Sequence, residues 1–185
     1  MASSDITSAK TALRRAMRLK QAALPADYLR AASARIQDLV LASAAYRGAR
    51  SIFLYLSLPG EPATDRILAQ ALADGKEVYV PKCVSRTEML AVRIRDLSGL
   101  KPGAFGIPEP EDITETRTAE ELDLILVPCL AASKDGRRLG HGAGYYDRFL
   151  SNGAEHAVCL CFSRMLCDEI PADERDVRIP VLISE

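Results

Sequence analysis

The sequence predicts an α/β protein, a single-domain three-layer α/β/α sandwich with a mostly parallel sheet. Helix-like and short strand-like segments alternate along the chain, as they do in proteins built from βαβ units. The strand-like segments are apolar along most of their length, which is typical of strands covered on both faces. With 185 residues, 48% of them hydrophobic, the chain is long enough for one substantial core.

No repeat, low-complexity segment or linker divides the sequence. We therefore expect one domain over residues 1–185, with an N-terminal helical pair at about 5–47 and an α/β core at about 50–185.

The first 47 residues predict two helices. Apolar residues recur with helical spacing from Ile6 to Leu24, after a Ser or Thr that can act as an N-cap. Pro25 ends this pattern and opens a second helix, which we expect to stop near Gly48.

The rest of the chain predicts strands separated by turns and by further helices. Thr64 is expected to cap a helix that ends at Gly75, and another helix is expected to begin near Tyr145. Pro81 is expected to end the strand that precedes it. The alternating pattern of residues 89–95 predicts a less buried strand, suited to an edge of the sheet. The expected strands are 51–55, 77–80, 89–95, 122–127, 156–162 and 179–183.

Composition excludes several classes of protein. Lys plus Arg number 24 and Asp plus Glu number 25, so no overall field favours nucleic acid or membrane. No apolar run is long enough to span a bilayer, and the N-terminus lacks a leader pattern. We expect a cytoplasmic monomer with no nucleic-acid or membrane partner. The five cysteines form no CxxC pair, and we expect buried reduced thiols rather than redox or metal ligands.

The most informative segment is the glycine-rich motif, residues 136–148, with the sequence GRRLGHGAGYYDR. Glycine adopts backbone conformations that let successive N–H groups face one small volume, and such a concave array beside arginines suits an anion, most plausibly phosphate. Asp147 could hold the divalent ion that accompanies nucleotide phosphates. The motif is neither GxxxxGK[ST] nor GxGxxG, and a purely structural turn is the alternative.

Other candidate residues have two interpretations each. Lys10 and Arg14 stand at positions i and i+4 and form either a solvated helix face or a clamp for phosphates. Glu61 is either a solvated loop carboxylate or an acceptor for an amidine-like ligand edge. His141 contacts a ligand or points to solvent, and Asp176 lies in a surface turn or joins Asp147 near magnesium.

Ligands of parallel sheets bind beyond the carboxyl ends of the strands. The loops that follow Tyr55, Val80 and Val127 should therefore converge on one cleft. We expect Glu61, Lys82 and the glycine-rich motif to meet there.

At these residues the chain resembles the 5-formyltetrahydrofolate cyclo-ligase family, also called methenyltetrahydrofolate synthetases. The likeness covers nearly the whole chain. It is carried by Lys10 and Arg14, Glu61 with Thr64, Pro81-Lys82, and the segments 105–110, 122–128 and 138–148. The resemblance implies a fold related to sugar-phosphate isomerases and CoA-transferases. It also implies a ligase of folate and one-carbon metabolism that uses ATP and Mg²⁺ to convert 5-formyltetrahydrofolate into 5,10-methenyltetrahydrofolate, ADP and phosphate.

The resemblance also implies roles for individual residues. Arg138, Lys10 and Arg14 would be catalytic. ATP would contact these three residues and Leu139, Gly140, His141, Gly142, Ala143, Gly144, Tyr145 and Tyr146. The reduced folate would contact Leu56, Glu61, His141, Gly142, Ala143, Gly144 and Tyr145. Asp147 and Asp176 would carry Mg²⁺.

Some positions depart from the family pattern. Ala132 and Ser133 stand where Phe-Asp is common, Arg175 replaces a frequent histidine, and Pro180 replaces a frequent acidic residue. Ala132, Ser133 and Pro180 keep one alternative open, a non-catalytic folate or nucleotide-binding paralogue. A sugar-phosphate isomerase-like enzyme is a second alternative, which rests on the fold alone. If Asp147 is a solvent-accessible metal ligand, Asp147→Ala should abolish most turnover and leave folding nearly intact.

Overall fold

The computed structural model describes residues 3–103 and 106–185 of the chain. Phe105, part of one segment that carries the family resemblance, lies outside the described residues. The helices are α1 (Ser3–Ala22), α2 (Ala26–Ala42), α3 (Ala44–Gly48), α4 (Asp65–Ala73) and α5 (Tyr145–Phe149). The strands are β1 (Ser51–Leu54), β2 (Glu77–Cys83), β3 (Met89–Ile94), β4 (Leu100–Pro102), β5 (Pro108–Pro110), β6 (Thr116–Arg117), β7 (Leu124–Pro128), β8 (Ala131–Ala132), β9 (Arg138–Leu139), β10 (Ala157–Leu160) and β11 (Val181–Ile183).

Seven strands form one sheet in the order β11-β10-β7-β1-β2-β3-β6. The five strands from β11 to β2 are parallel, whereas β3 and β6 pair antiparallel. The predicted α/β class and mostly parallel sheet are confirmed. The alternating segment from Met89 forms β3, the second strand from one edge. The expected relation to sugar-phosphate isomerases stays a prediction.

The core lies on both faces of this sheet. Strands β1, β7 and β10 are buried at every position, because helices or loops cover each side. Phe53 packs its ring against Tyr146 and Phe149 of α5. Its neighbours Ile52 and Leu54, which a strand points to the opposite face, are equally inaccessible to solvent.

Two local predictions about helices need correction. The second predicted helix does not continue to Gly48, because Ser43 adopts an extended conformation and its side chain accepts a hydrogen bond from the Tyr46 N–H. Ser43 thereby caps the separate short helix α3. The Thr64 hydroxyl precedes α4 but makes no capping bond, and it donates instead to the Tyr55 carbonyl oxygen at 2.6 Å.

Pro81 does not halt β2, contrary to the sequence prediction. The pairing of β2 with β1 ends at Tyr79, whereas its pairing with β3 continues to Cys83. Pro81 therefore lies where β2 has a neighbour on one side only, and there a missing N–H is tolerated.

The cysteines are all free; Cys129, Cys159 and Cys161 are buried, and Cys83 and Cys167 are half-buried. Within residues 3–103 and 106–185, no group of three or more His, Cys, Asp or Glu side chains is arranged to hold a metal ion. None of the helices in these ranges has the length and apolar character needed to cross a bilayer.

Candidate functional site

A cavity of about 800 Å³ opens at the carboxyl ends of β1, β2 and β7. The loops after Tyr55 and Pro128, the end of β2 and helix α1 contribute to its wall. Every predicted site residue lies in this wall, namely Lys10, Arg14, Leu56, Glu61, Arg138, Leu139, Gly140, His141, Gly142, Ala143, Gly144, Tyr145, Tyr146, Asp147 and Asp176. The sheet topology thus brings together residues that are distant in sequence, as expected for a parallel sheet.

Lys82 is the exception among the residues expected at the cleft. Its ammonium donates hydrogen bonds to the carbonyl oxygens of Pro110 and Glu111. Lys82 therefore anchors the segment after β5 and does not enter the cavity wall.

Arg138 extends from β9 into the cavity wall, and its side chain is only 4% exposed. Its Nη2 donates to Asp147 Oδ1 at 2.9 Å, and its guanidinium carbon lies 5.6 Å from the centroid of the Tyr146 ring. No acceptor for its buried Nε is found among the described residues. A buried guanidinium with an unused donor is suited to an anionic ligand. Burial also raises the pKa of Tyr146, and the nearby charge of Glu61 adds to this effect.

The glycine loop, residues 140–144, presents unpaired main-chain N–H groups. Gly142 and Gly144 have φ values of 116° and 70°, which other residues rarely adopt. Arg14 Nε donates to the Gly140 carbonyl at 3.0 Å, and Arg18 Nη2 donates to the His141 carbonyl at 3.2 Å. Helix α1 thus satisfies carbonyl groups of the loop. No acceptor within residues 3–103 and 106–185 is bonded to the N–H groups of residues 140–144.

Glu61 is a buried carboxylate, not a solvated one, with a side chain 4% exposed. Its Oε2 accepts from the Leu58 N–H at 2.8 Å, and its Oε1 lies 2.9 Å from His141 Nε2. Gln21 of α1 donates to the neighbouring Gly60 carbonyl at 2.8 Å. The Glu61–His141 contact joins the loop after β1 to the glycine loop across 80 residues of sequence.

Lys10 is half-buried and contacts two carboxylates rather than lying on a solvated helix face. Its Nζ is 2.5 Å from Asp176 Oδ2 and 3.1 Å from Asp173 Oδ2, and its side chain is 12% exposed. Hydrogen bonds from Arg175 and then from Lys10 hold the pKa of Asp173 well below its usual value. The ion pair brings the start of α1 against the segment before β11.

The sequence analysis missed several residues of the cavity wall. Asp173 carries only the weak signal of an acidic turn, and Ile107 and Glu109 lie in the segment 105–110, which carries the family resemblance but was given no role. The missed residues include Tyr55, Cys83, Met89, Ile107, Glu109 and Asp173.

The model of the 5-formyltetrahydrofolate cyclo-ligase family matches residues 6–185. The chain belongs to this family. Among its relatives, the mouse (Mus musculus) 5-formyltetrahydrofolate cyclo-ligase is 29% identical, with 100% of this chain and 98% of the mouse protein covered. A probable 5-formyltetrahydrofolate cyclo-ligase of Caenorhabditis elegans is 31% identical, with 98% and 95% covered.

Solved structures of family members have the same fold. The NMR structure of the Aquifex aeolicus 5,10-methenyltetrahydrofolate synthetase matches with a TM-score of 0.84 and 29% identity, covering 95% of this chain and 89% of that one. A 5,10-methenyltetrahydrofolate synthetase from Mycoplasma pneumoniae matches with a TM-score of 0.74 and 25% identity, covering 94% and 97%.

Most positions at which this family member departs from the expected pattern lie away from the cavity. Ala132 and Ser133 are buried in and after β8, and neither they nor Pro180 contribute to the cavity wall. Arg175 does line the cavity, where it pairs with Asp173 at 3.1 Å.

The carboxylates expected to bind Mg²⁺ both have an oxygen available. Asp147 uses Oδ1 for Arg138 and the Val177 N–H, and Asp176 uses Oδ2 for Lys10 and the Asp173 N–H. Each of the two side chains is 25% exposed. Mg²⁺ commonly binds through one or two carboxylates together with phosphates and water. The donor set therefore fits the ion.

Proposed function

We propose that the protein catalyses the ATP-dependent cyclisation of 5-formyltetrahydrofolate to 5,10-methenyltetrahydrofolate, with release of ADP and phosphate. The observation that carries this proposal is the buried Arg138. Its unused Nε lies in the same cavity wall as the unpaired N–H groups of the glycine loop and the buried Glu61. An anion-binding region beside an apolar, carboxylate-bearing region suits a triphosphate and a reduced folate in a member of this family.

The reaction requires activation of a poor electrophile. A formamide carbon resists attack, and its oxygen is a poor leaving group. Transfer of the γ-phosphoryl group to the formyl oxygen creates a phosphate leaving group. N10 then attacks the activated carbon, and phosphate departs as the new ring becomes unsaturated.

Phosphoryl transfer depends on positioning and charge neutralisation more than on a strong base. We assign this task to Lys10, Arg14, Arg138 and the N–H groups of the glycine loop, which would surround the triphosphate. ATP would also contact residues 139–146.

Asp147 and Asp176 would hold Mg²⁺, which would neutralise charge on the phosphates. Lys10 forms an ion pair with Asp176, and Arg138 forms one with Asp147. We infer that the phosphates of the bound nucleotide and the two carboxylates share the positive charges of Lys10 and Arg138.

The reduced folate would contact Leu56, Glu61 and residues 141–145. Tyr145 supports this assignment because it lies in the cavity wall, where its ring can face a pterin or aminobenzoyl ring. Its hydroxyl donates to the Ser85 carbonyl at 2.8 Å, and the guanidinium of Arg148 lies 5.6 Å from its ring centroid. These contacts hold the ring in a fixed orientation.

The test mixes protein, Mg-ATP and 5-formyltetrahydrofolate and follows the methenyl chromophore by absorbance. We expect chromophore only when ATP is present. Arg138→Met should lower kcat by about 100- to 1000-fold, the scale on which one lost transition-state donor acts. Arg137→Met is the matched control because Arg137 pairs with Asp135 outside the cavity, and it should retain full activity.

Two outcomes would replace this proposal. Tight folate binding without turnover would favour a non-catalytic binding paralogue. Sugar-phosphate isomerisation without ATP would favour an isomerase. We further propose that the protein acts as a cytoplasmic monomer without nucleic-acid or membrane partners, and light scattering after size-exclusion chromatography would test the monomer.

A further inference from the structure

The acidic side chains of the cavity differ in whether they have a basic partner. Among the described residues, five acidic side chains line the cavity. Glu61 contacts His141, Asp147 pairs with Arg138, and Asp173 and Asp176 pair with Lys10. Glu109 has no ion-pair partner within residues 3–103 and 106–185, where its neighbours are the Cys83 N–H, at a long hydrogen-bond distance of 3.4 Å, and the neutral Cys83 thiol.

The pairing of β4 with β5 holds Glu109 in this position. Strands β4 and β5 pair antiparallel, and beyond Pro102 the chain continues through Gly103, whose N–H donates to the Ile107 carbonyl at 2.9 Å. A Cβ on Gly103 would lie 2.5 Å from both Cγ and Cδ of Glu109. The lack of a side chain at Gly103 therefore leaves the space that the glutamate occupies.

Keeping a half-buried carboxylate without a counter-ion is unfavourable for folding. Apolar Met89 and Ile107 line the cavity together with Glu109. Burial raises the pKa of the nearby Tyr145 hydroxyl, and the negative charge of Glu109 adds to this increase. An unpaired charge held against such a cost is typical of a site that meets an opposite charge during function.

The proposed reaction creates that opposite charge. The formamide group of the substrate is neutral. As the N10–C bond forms and the C–O bond breaks, the oxygen leaves as part of phosphate, N10 loses its proton, and the released phosphate takes up that proton. The N5–C–N10 unit remains as an amidinium cation.

We propose that Glu109 stabilises the positive charge that develops on the N5–C–N10 unit of the folate. The proposal rests on the proposed function. A fixed carboxylate in an apolar wall stabilises a developing cation more than it stabilises a neutral ground state. The triphosphate and the glutamate tail of folate are anions, and Glu109 would repel both.

The test compares binding of the neutral substrate with binding of the cationic product, both measured by calorimetry in the absence of ATP. Glu109→Gln should weaken product binding by about 10- to 100-fold, the range expected for one interaction with a charged group. Substrate affinity should stay within about threefold, because the substrate carries no charge at that position. In turnover, kcat should fall by about 10- to 100-fold with little change in KM for ATP.

Two further variants control this experiment. Glu111→Gln should change nothing, because the exposed Glu111 side chain pairs only with Lys101, at 4.0 Å, among the described residues. Gly103→Ala keeps the carboxylate but displaces it, and should reproduce the selective loss of product affinity.

An equal loss of substrate and product affinity in Glu109→Gln would indicate a structural role and overturn the proposal, as would an unchanged product affinity. A different result would refute the proposed function itself: the wild-type protein would make no chromophore. The comparison of neutral and cationic ligands does not depend on turnover.

Discussion

The pair formed by Arg138 and Asp147 leads to a testable prediction about stability. Arg138 Nη2 and Asp147 Oδ1 are 2.9 Å apart, and their side chains are 4% and 25% exposed. Asp147→Ala removes the carboxylate and leaves the guanidinium in the protein interior without its counter-ion. It also removes the acceptor of the Val177 N–H.

The magnitude follows from these exposures. Breaking a fully buried ion pair by removing one partner costs about 3–5 kcal/mol, whereas a surface pair contributes less than about 1 kcal/mol. Because Asp147 is partly exposed, water can reach the guanidinium of the variant. We therefore expect the free energy of unfolding to fall by about 2 kcal/mol, which lowers the melting temperature of a chain of this size by about 4–8 °C.

Thermal unfolding followed by circular dichroism measures this shift. The exposed Asp168 provides the matched control, and Asp168→Ala should melt with the wild type. The double variant Asp147→Ala/Arg138→Met should melt closer to the wild type than Asp147→Ala does, because the unpaired charge is gone. If Asp147→Ala melts within about 1 °C of the wild type, less than half a kcal/mol by the same scaling, the reasoning about the buried guanidinium is wrong.

Three other changes test separate features. Gly136→Ala should lower the free energy of unfolding by about 2 kcal/mol. The φ of Gly136 is +87°, and a Cβ there would lie 2.7 Å from the carbonyl oxygen of Ile179. Gly48→Ala is the control in the same melting assay, because a Cβ at Gly48 would have nothing within 4 Å. Burial and a hydrogen bond to a glutamate raise the pKa of Tyr79 to about 12 from 10.0, so its stabilising effect is present below pH 10 and is lost as the pH rises through about 12. The difference between the ultraviolet titrations of the wild type and of Tyr79→Phe should show one tyrosine that titrates at about 12. Lys10→Met should raise KM for ATP at least about tenfold, and the exposed Lys20→Met should leave it unchanged in the chromophore assay.

Six of the seven strands of the large sheet could be predicted because their signals are local, whereas β4, β5, β6, β8 and β9, each of two or three residues, were not predicted. The apolar segments beginning at Ser51 and Leu122 became the interior strands β1 and β7. The same local reasoning failed at Pro81, where the outcome depends on which neighbour β2 has beyond Tyr79. It also failed at Ser43, where one side-chain bond separates two helices.

The candidate site was predictable to the extent that a motif or a resemblance named its residues. All the residues given a site role line one cavity, whereas Lys82, expected at the same cleft, does not. Glu109 lies in β5, within a segment that carried the resemblance but was given no role. Asp173 was missed because an acidic residue in a loop has the same local pattern whether it is solvated or enclosed. The expected effect of Asp147→Ala on stability also changed, because the sequence does not reveal that Arg138, the partner of Asp147, is buried.

By itself the sequence determined the α/β class, the order of most elements and the glycine-rich motif with its arginines, because periodicity and turn chemistry act over a few residues. Tertiary structure alone decided which charged side chains are paired. The Lys10–Asp176 contact spans 166 residues and the Glu61–His141 contact spans 80. Burial and ion pairing depend on such distant neighbours, and for that reason the unpaired carboxylate of Glu109 became visible only in the folded chain.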